Sequence, residues 1–478
     1  MISPSSKTLL YQEFSERIAE LIRHGTYPPG KRLPSVRQAS QQNGLSISTV
    51  LQAYSLLESQ GLIEARPQSG YYVSTRAGEY PPEPETSSPQ RDPSLISVHE
   101  LVMMLMQDSS NPNLVQLGAA LPTIEPLLTQ KINRIITNIV RQNGEDAHRY
   151  QFPPGLEALR VQIARRAVNA GCNLFPADIL VTSGGTDAIE LCLHAVCRPG
   201  DIVAIESPSY FGTLQTLEVH GLRALEIPTH PRDGISLEAL EFAIEHNPIR
   251  VVMVIPNFNN PLGSLMPDEK KEALVKLLTR HDIPLIENDV SGEIYFGEKR
   301  PMVCKAFDTK GLVMLLSSFS KDISPGFRIG WVAPGRYRAE VEWLKFTISA
   351  SSPTLPQMAI ARFLESGGYD QHMRRIRREY ARNVRLMSDA VMRYFPVGTR
   401  LTRPSGGFVL WVQLPENVDS LELYSLALKG KITLAPGHVF SATRQFSNFI
   451  RLNAASFDYA TERAIERLGD MVVELARQ

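Results

Sequence analysis

Leu312-Val-Met-Leu-Leu-Ser-Ser-Phe-Ser-Lys-Asp-Ile-Ser-Pro-Gly-Phe-Arg-Ile-Gly-Trp331 decides the fold of the larger part of this chain. Its first half is an apolar run of the length of a buried strand. Its second half places two hydroxyls, a lysine and an arginine just past the strand end, beside Pro325 and Gly326, which break regular structure. A lysine there leaves solvent for a site between elements, where its amine can lose a proton and attack a carbonyl. Lys321 is therefore the candidate covalent anchor for an aldehyde cofactor.

The chain around this stretch has 478 residues, enough for more than one domain and a large core. Its charges balance at 50 basic and 50 acidic residues, so net charge favours no class of partner. Local charge is more informative. Residues 1–76 carry eight Lys/Arg against five Asp/Glu, and residues 77–110 carry one against six. A basic head thus precedes an acidic connector. Cys172, Cys192, Cys197 and Cys304 form no CxxC pair and have no histidine set at ligand spacing, so neither a metal site nor a disulfide framework is expected. No uninterrupted apolar span reaches about 20 residues and the N-terminus has no signal-peptide core, which points to a protein of the cytoplasm without membrane association.

In the basic head, apolar residues recur at helical spacing from Leu9 to Ile22, and Pro28-Pro29-Gly30 closes that region. A short helix is predicted from Ser35, as N-cap, to Gln42. Asn43-Gly44 makes a turn, and Ser46 caps a third helix through Thr49, Val50, Tyr54 and Leu57. Gly61 to Val73 reads as a two-strand hairpin turning near Gln68 to Gly70. A short helix, a glycine turn and a helix opening on small polar residues is the arrangement that sets a helix N-terminus into a DNA major groove, with the hairpin as a wing.

The run L-P-S-V-R-Q-A-S-Q-Q-N-G-L-S-I-S-T-V-L-Q-A-Y-S-L-L-E-S-Q-G-L-I-E-A-R resembles the winged helix-turn-helix of GntR-type bacterial regulators. The resemblance implies double-stranded DNA as a partner, met mostly at phosphates by Arg37, Ser46, Ser48, Thr49 and Arg66. Ile47 stands where that family usually has an arginine, and Gln68 where the wing usually has a glycine. Residues 1–76 form this domain in our reading. Residues 77–111 are a linker, rich in proline and glutamate and extended, with no core of its own; Leu95 to Met106 adds a short docking helix whose methionines serve packing.

From residue 112 to 478 strands and helices alternate, the pattern of an α/β domain with a mainly parallel sheet. Four strand ends carry chemistry. Ile179 to Thr182 runs into Ser183-Gly184-Gly185-Thr186-Asp187, where free backbone N–H groups at a helix start can hold a phosphate. Val251 to Ile255 runs into P-N-F-N-N-P-L-G, Ile283 to Ile286 into Glu287-Asn288-Asp289, and the fourth end is the opening stretch. In open α/β sheets ligands bind beyond the carboxyl ends of strands, so these groups can converge. Lys321 would hold an aldehyde, Asp289 would pair with a ring nitrogen, and Arg328, Ser318 and Ser320 would bind a phosphate. Pyridoxal 5'-phosphate needs all of these.

The same constellation resembles fold-type I, class I aminotransferases, whose mainly parallel sheet is followed by a smaller C-terminal subdomain. By position the resemblance implies that Gly185 and Thr186 bind phosphate, Tyr210 stacks on the ring and Asn260 bonds the ring hydroxyl. It also implies that Tyr150 reaches a neighbouring subunit's phosphate in a homodimer, and that Arg451 grips a substrate carboxylate. Relatives commonly have a tyrosine two residues after the acid, where this chain has Ser291. A GntR-type head joined to such a domain is the arrangement of MocR-type regulators. The expected function is a pyridoxal-phosphate-binding transcription factor that senses an amino acid, an amine or the cofactor. The alternatives are a working aminotransferase with a secondary DNA-binding part, and a DNA-binding protein whose large domain only dimerises.

Overall fold

The computed structural model describes residues 10–59, 62–66, 69–74, 81–96, 98–142 and 144–477. They fall into two compact units, one ending at Pro82 and the other running from Glu83 to the C-terminus.

In the first unit, Phe14, Ile18 and Ile22 recur every fourth residue on the helix Leu10–Arg23, and Val50, Tyr54 and Leu57 share a face of Ile47–Ser59. These stripes close on Leu33, Ala39, Ile63 and Val73 to make one core. Between them lies Val36–Asn43, whose N-cap Ser35 accepts from Gln38 N at 3.3 Å and whose C-cap Gly44 is left-handed at φ 64°. Ser46 Oγ accepts from Thr49 N at 3.1 Å, capping the third helix as expected. Strands Ile63–Arg66 and Gly70–Val73 pair antiparallel with Ile63 opposite Val73. Gln68 and the side chain of Arg66 lie outside the described residues.

The second unit is built on an eight-stranded sheet. In spatial order its strands are Leu180–Thr182, Gly330–Ala333, Val313–Ser318, Leu285–Asn288, Ile249–Val254, Ile202–Ser207, Arg223–His230 and Gly234–Ile235. The five from Val313 to His230 run parallel; the outer pairings are antiparallel. Strands buried on both faces read as continuous apolar runs, which is why they were legible. A smaller antiparallel sheet of Arg400–Leu401, Val409–Gln413, Phe449–Asn453 and Ala435–Pro436 follows.

One strand runs on past its expected end. The apolar run suggests Ile283 to Ile286, whereas the strand is Leu285–Asn288. Its continuation is polar because tertiary partners satisfy it: buried Glu287 accepts from Cys304 N at 2.6 Å and Lys305 N at 2.9 Å.

The connector, expected to be extended with no core of its own, is held by contacts with the second unit. Residues from Glu83 onward lie along the second unit's sheet edge. Ser87 Oγ donates to Ser207 O at 2.5 Å, Ser94 pairs with Ala224, and Arg223 Nη2 donates to Pro93 O at 2.8 Å. Glu83 and Glu85 pair with Arg232 and Arg400. The acidic residues thus have basic partners that composition alone does not reveal. The helix that follows is His99–Ser109; it buries Val102 and Leu105, and of its methionines Met106 packs against the core while Met103 and Met104 stay exposed.

Candidate functional site

Lys321 follows the strand Val313–Ser318, and its half-buried amine donates to Ala120 O at 2.7 Å. Burial, then the nearby charges of Arg451 and Arg328, push its pKa down to about 8. Desolvation disfavours the ammonium form and like charges add to that, so the neutral amine is far more accessible near neutral pH than in an ordinary lysine. The same pair of arginines surrounds Tyr210, whose phenol is raised by burial. Lys321, Tyr210, Arg328 and Arg451, read from four separated segments, therefore share one neighbourhood.

The phosphate-binding candidates gather at the start of the helix Gly185–Val196. Ser318 Oγ donates to Ser320 Oγ at 2.8 Å, and Arg328, with φ 50°, turns Nη1 toward Ser320 Oγ at 3.3 Å and Nη2 toward Ser183 O at 3.3 Å. A Cβ on Gly184 would lie 2.4 Å from Arg328 Nη2, so only glycine leaves that guanidinium its place. Gly184 also has φ 98°, a conformation that side chains disfavour. Thr186 is exposed at the helix start, and the first-turn acid Asp187 is neutralised by Lys345 Nζ at 2.8 Å. The helix end therefore keeps its affinity for an anion.

At the other side of the site Arg451 is fully buried on Phe449–Asn453. Its Nη1 donates to Asn260 Oδ1 at 2.9 Å, Nη2 donates to Gly118 O, and Nε has no partner. The guanidinium lies 5.1 Å from the Phe440 ring centroid and 5.6 Å from that of Phe211. Burial lowers its pKa to about 10, which leaves it charged at neutral pH. A buried cation with an unpartnered donor suits a carboxylate ligand.

Asp289, expected at a ring nitrogen, has partners within the chain. It is 2% exposed; its Oδ1 accepts from Asn257 Nδ2 at 2.8 Å and its Oδ2 pairs with Arg300. Arg300 also donates through Nε to Glu293 Oε1 at 2.9 Å. Sequence reading did not single out Arg300, because only the return of the chain after Gly297 brings it to the acid. Ser291 is half-buried in the turn that follows, its carbonyl accepting from Ile294 N at 2.9 Å.

Tyr150 stays outside the chain's own site. It is 71% exposed and stacks on Phe152 at 5.3 Å, which packs edge-on against Phe346 at 5.8 Å. On the first unit, Arg37, Ser46 and Ser48 are exposed and Thr49 half-buried; Ser46 and Ser48 are hydrogen-bonded at 2.8 Å. Ile47, 50% exposed, and Leu51, 44% exposed, add an apolar strip one turn apart on the same helix. All four cysteines are buried and free. One group not seen in the sequence, Glu190, His194 and His220, brings its ligand atoms within 4.8 Å of one another; His220 reaches it from just past the end of the helix Phe211–Val219. Among the described residues no helix is long and apolar enough to cross a membrane.

The residues at the phosphate and amine ends fit pyridoxal phosphate: a helix start without side-chain obstruction, paired hydroxyls, an arginine and a lysine with a depressed pKa. Comparison with known proteins agrees with this geometry. Residues 117–468 match the family described as aminotransferase class I and II, and residues 10–73 match bacterial regulatory proteins of the gntR family. The chain is 42% identical to an uncharacterized HTH-type transcriptional regulator, YjiR, of Escherichia coli (strain K12), over 97% of this chain and 98% of the relative. A second such regulator of that organism, YdcR, is 38% identical over 97% of this chain and 99% of its own. Among solved structures, α-aminoadipate aminotransferase LysN from Thermus thermophilus, complexed with N-(5'-phosphopyridoxyl)-L-leucine, superposes with a TM-score of 0.72. It is 28% identical and covers 79% of this chain and 95% of its own. With both halves matched in this order and full-length relatives of the same build, the chain belongs to the MocR-type regulators, a gntR-type helix-turn-helix domain joined to an aminotransferase class I and II domain.

Proposed function

We propose that this protein is a homodimeric, DNA-binding transcriptional regulator that holds pyridoxal 5'-phosphate at Lys321 and senses an amino acid or amine there. One observation carries the reading. The amine of Lys321 shares its surroundings with two cations of different purpose, Arg328 at the phosphate cradle and Arg451 in a buried pocket. A cofactor phosphate and a ligand carboxylate can thus be held on either side of one reactive amine.

When bound, pyridoxal phosphate supplies an aldehyde that can pass from one amine to another. The chain's residues do the rest. Gly185, Thr186, Ser318, Ser320 and Arg328 hold the phosphate, Tyr210 covers the ring and Asn260 orients toward its hydroxyl. Lys321 would be the residue that tethers the aldehyde, and Arg451 would fix the carboxylate of a competing amino compound with a two-pronged pair. The exposed Tyr150, Phe152 and Phe346 stack supports the dimer, with Tyr150 given to the partner subunit's phosphate. Arg37, Ser46, Ser48, Thr49 and Arg66 meet DNA. A ligand alters DNA binding only if it binds two arrangements of the dimer unequally.

The test is DNA affinity with and without ligand. Holo-protein is titrated onto a duplex from the chain's own upstream region, in the presence of a panel of amino acids and amines. The reading predicts that one class changes the affinity, and that Lys321→Ala abolishes the change while retaining DNA binding. Turnover of an amino acid without any DNA binding at low salt would instead establish the enzyme reading.

A further inference from the structure

The strand Leu285–Asn288 has two faces that its neighbours identify. Ile286 packs with Met314, Leu316, Ala188 and Ile189, on the side of the helix that opens at Gly185. Leu285 packs with Val313, Val252 and Cys304 on the opposite side, and Glu287 caps Cys304 N there. Side chains alternate along a strand, so Asn288 falls with Ile286 on the helix side. Beyond it, a Cβ on Gly185 would lie 3.3 Å from Val290 Cγ2 and 3.6 Å from Ser318 Cβ, which marks this face as the one against the phosphate cradle. Asp289 belongs to the other face with Glu287: its carboxylate is spent on Asn257 and Arg300, and Asn257 in turn bonds Met302 O at 3.1 Å.

Asn288 is 5% exposed, and its Oδ1 accepts from Val290 N at 3.3 Å. Because a backbone N–H can only donate, that bond fixes which end of the amide is oxygen. The end left to meet a ligand is Nδ2, a donor. Resting on the pyridoxal phosphate reading above, we propose that Asn288 rather than Asp289 faces the cofactor's ring nitrogen and donates to it, so that the nitrogen stays unprotonated.

The consequence concerns regulation. A carboxylate at this position stabilises a protonated ring nitrogen, and the positive ring then withdraws electrons from the ligand's carbon. An amide donor removes that pull while leaving amine exchange at Lys321 intact. The chain is thereby built to register an amine and to leave its carbon–hydrogen bond unbroken.

The test is nitrogen NMR of the holo-protein loaded with pyridoxal phosphate isotopically labelled at the ring nitrogen. Wild type is expected at the unprotonated position, Asn288→Asp at the protonated one, and Asp289→Asn at the wild-type position. A protonated signal in wild type, or one that moves in Asp289→Asn, overturns the assignment. Should Asp289→Asn fail to fold for want of its pair with Arg300, wild type and Asn288→Asp still decide. A wild type that takes up no label overturns the cofactor reading itself.

Discussion

Arg451 Nη1 donates to Asn260 Oδ1 across 2.9 Å and so joins the small antiparallel sheet to the loop at the end of a large-sheet strand. This bond links the group that would hold a ligand's carboxylate to the one that would touch the cofactor ring. Arg451→Ala leaves the buried Gly118 O without its donor, at a cost of about 1–3 kcal/mol, and also removes the donor to half-buried Asn260 Oδ1. Thermal unfolding is expected to fall measurably, and an amino acid's effect on the holo-protein spectrum to weaken at least about tenfold, with cofactor absorbance retained. Arg451→Lys keeps charge but loses the fork, and should recover stability better than ligand response.

Gly184 tests the cradle. Gly184→Ala forces a side chain into φ 98° and against Arg328 Nη2, a strain of about 1–3 kcal/mol. Equilibrium titration with pyridoxal phosphate is expected to show affinity lowered about tenfold or more, with DNA affinity of the first unit unchanged.

How much of this was readable beforehand depends on the kind of signal. The buried parallel strands were legible as short apolar runs, and the helix-turn-helix as two stripes plus the caps Ser35 and Ser46. Lys321, Arg328 and Arg451 were found because they stand just past strand ends or in a matching motif. Asp289 was read beyond an expected strand end at Ile286, since Glu287 and Asn288 looked like loop when they continue the strand. The Glu83–Arg232 and Glu85–Arg400 pairs and the Arg300–Asp289 pair were invisible because their partners are distant in sequence.

Buried Glu206 carries a pH signature. Burial raises its carboxyl pKa to about 8, only partly offset by donors from Ile255 N and Asn259 Nδ2, and Oε1 has no partner. A folded-state value above the unfolded one gives stability that is complete below about 4.5 and is lost as pH rises toward about 8. Across that window wild type should lose roughly 1.4 kcal/mol per pH unit relative to Glu206→Gln. Chemical denaturation of both proteins at several pH values checks the slope; parallel curves would contradict it.

For the DNA-facing helices, Arg37 is exposed in the first turn of the helix Val36–Asn43, which precedes the groove-directed helix. Each phosphate contact adds about 0.9 to the slope of log affinity against log salt. Arg37→Ala should therefore lower the slope by about 1 and weaken binding evenly across sequences. Fluorescence anisotropy over a salt series measures it.

The most direct measurement of the central claim is the visible absorbance of purified protein after incubation with pyridoxal phosphate. The account predicts a cofactor band in wild type that amino compounds perturb and that Lys321→Ala lacks. A wild type that cannot be loaded, or a Lys321→Ala variant with the same band and the same ligand response, would contradict it.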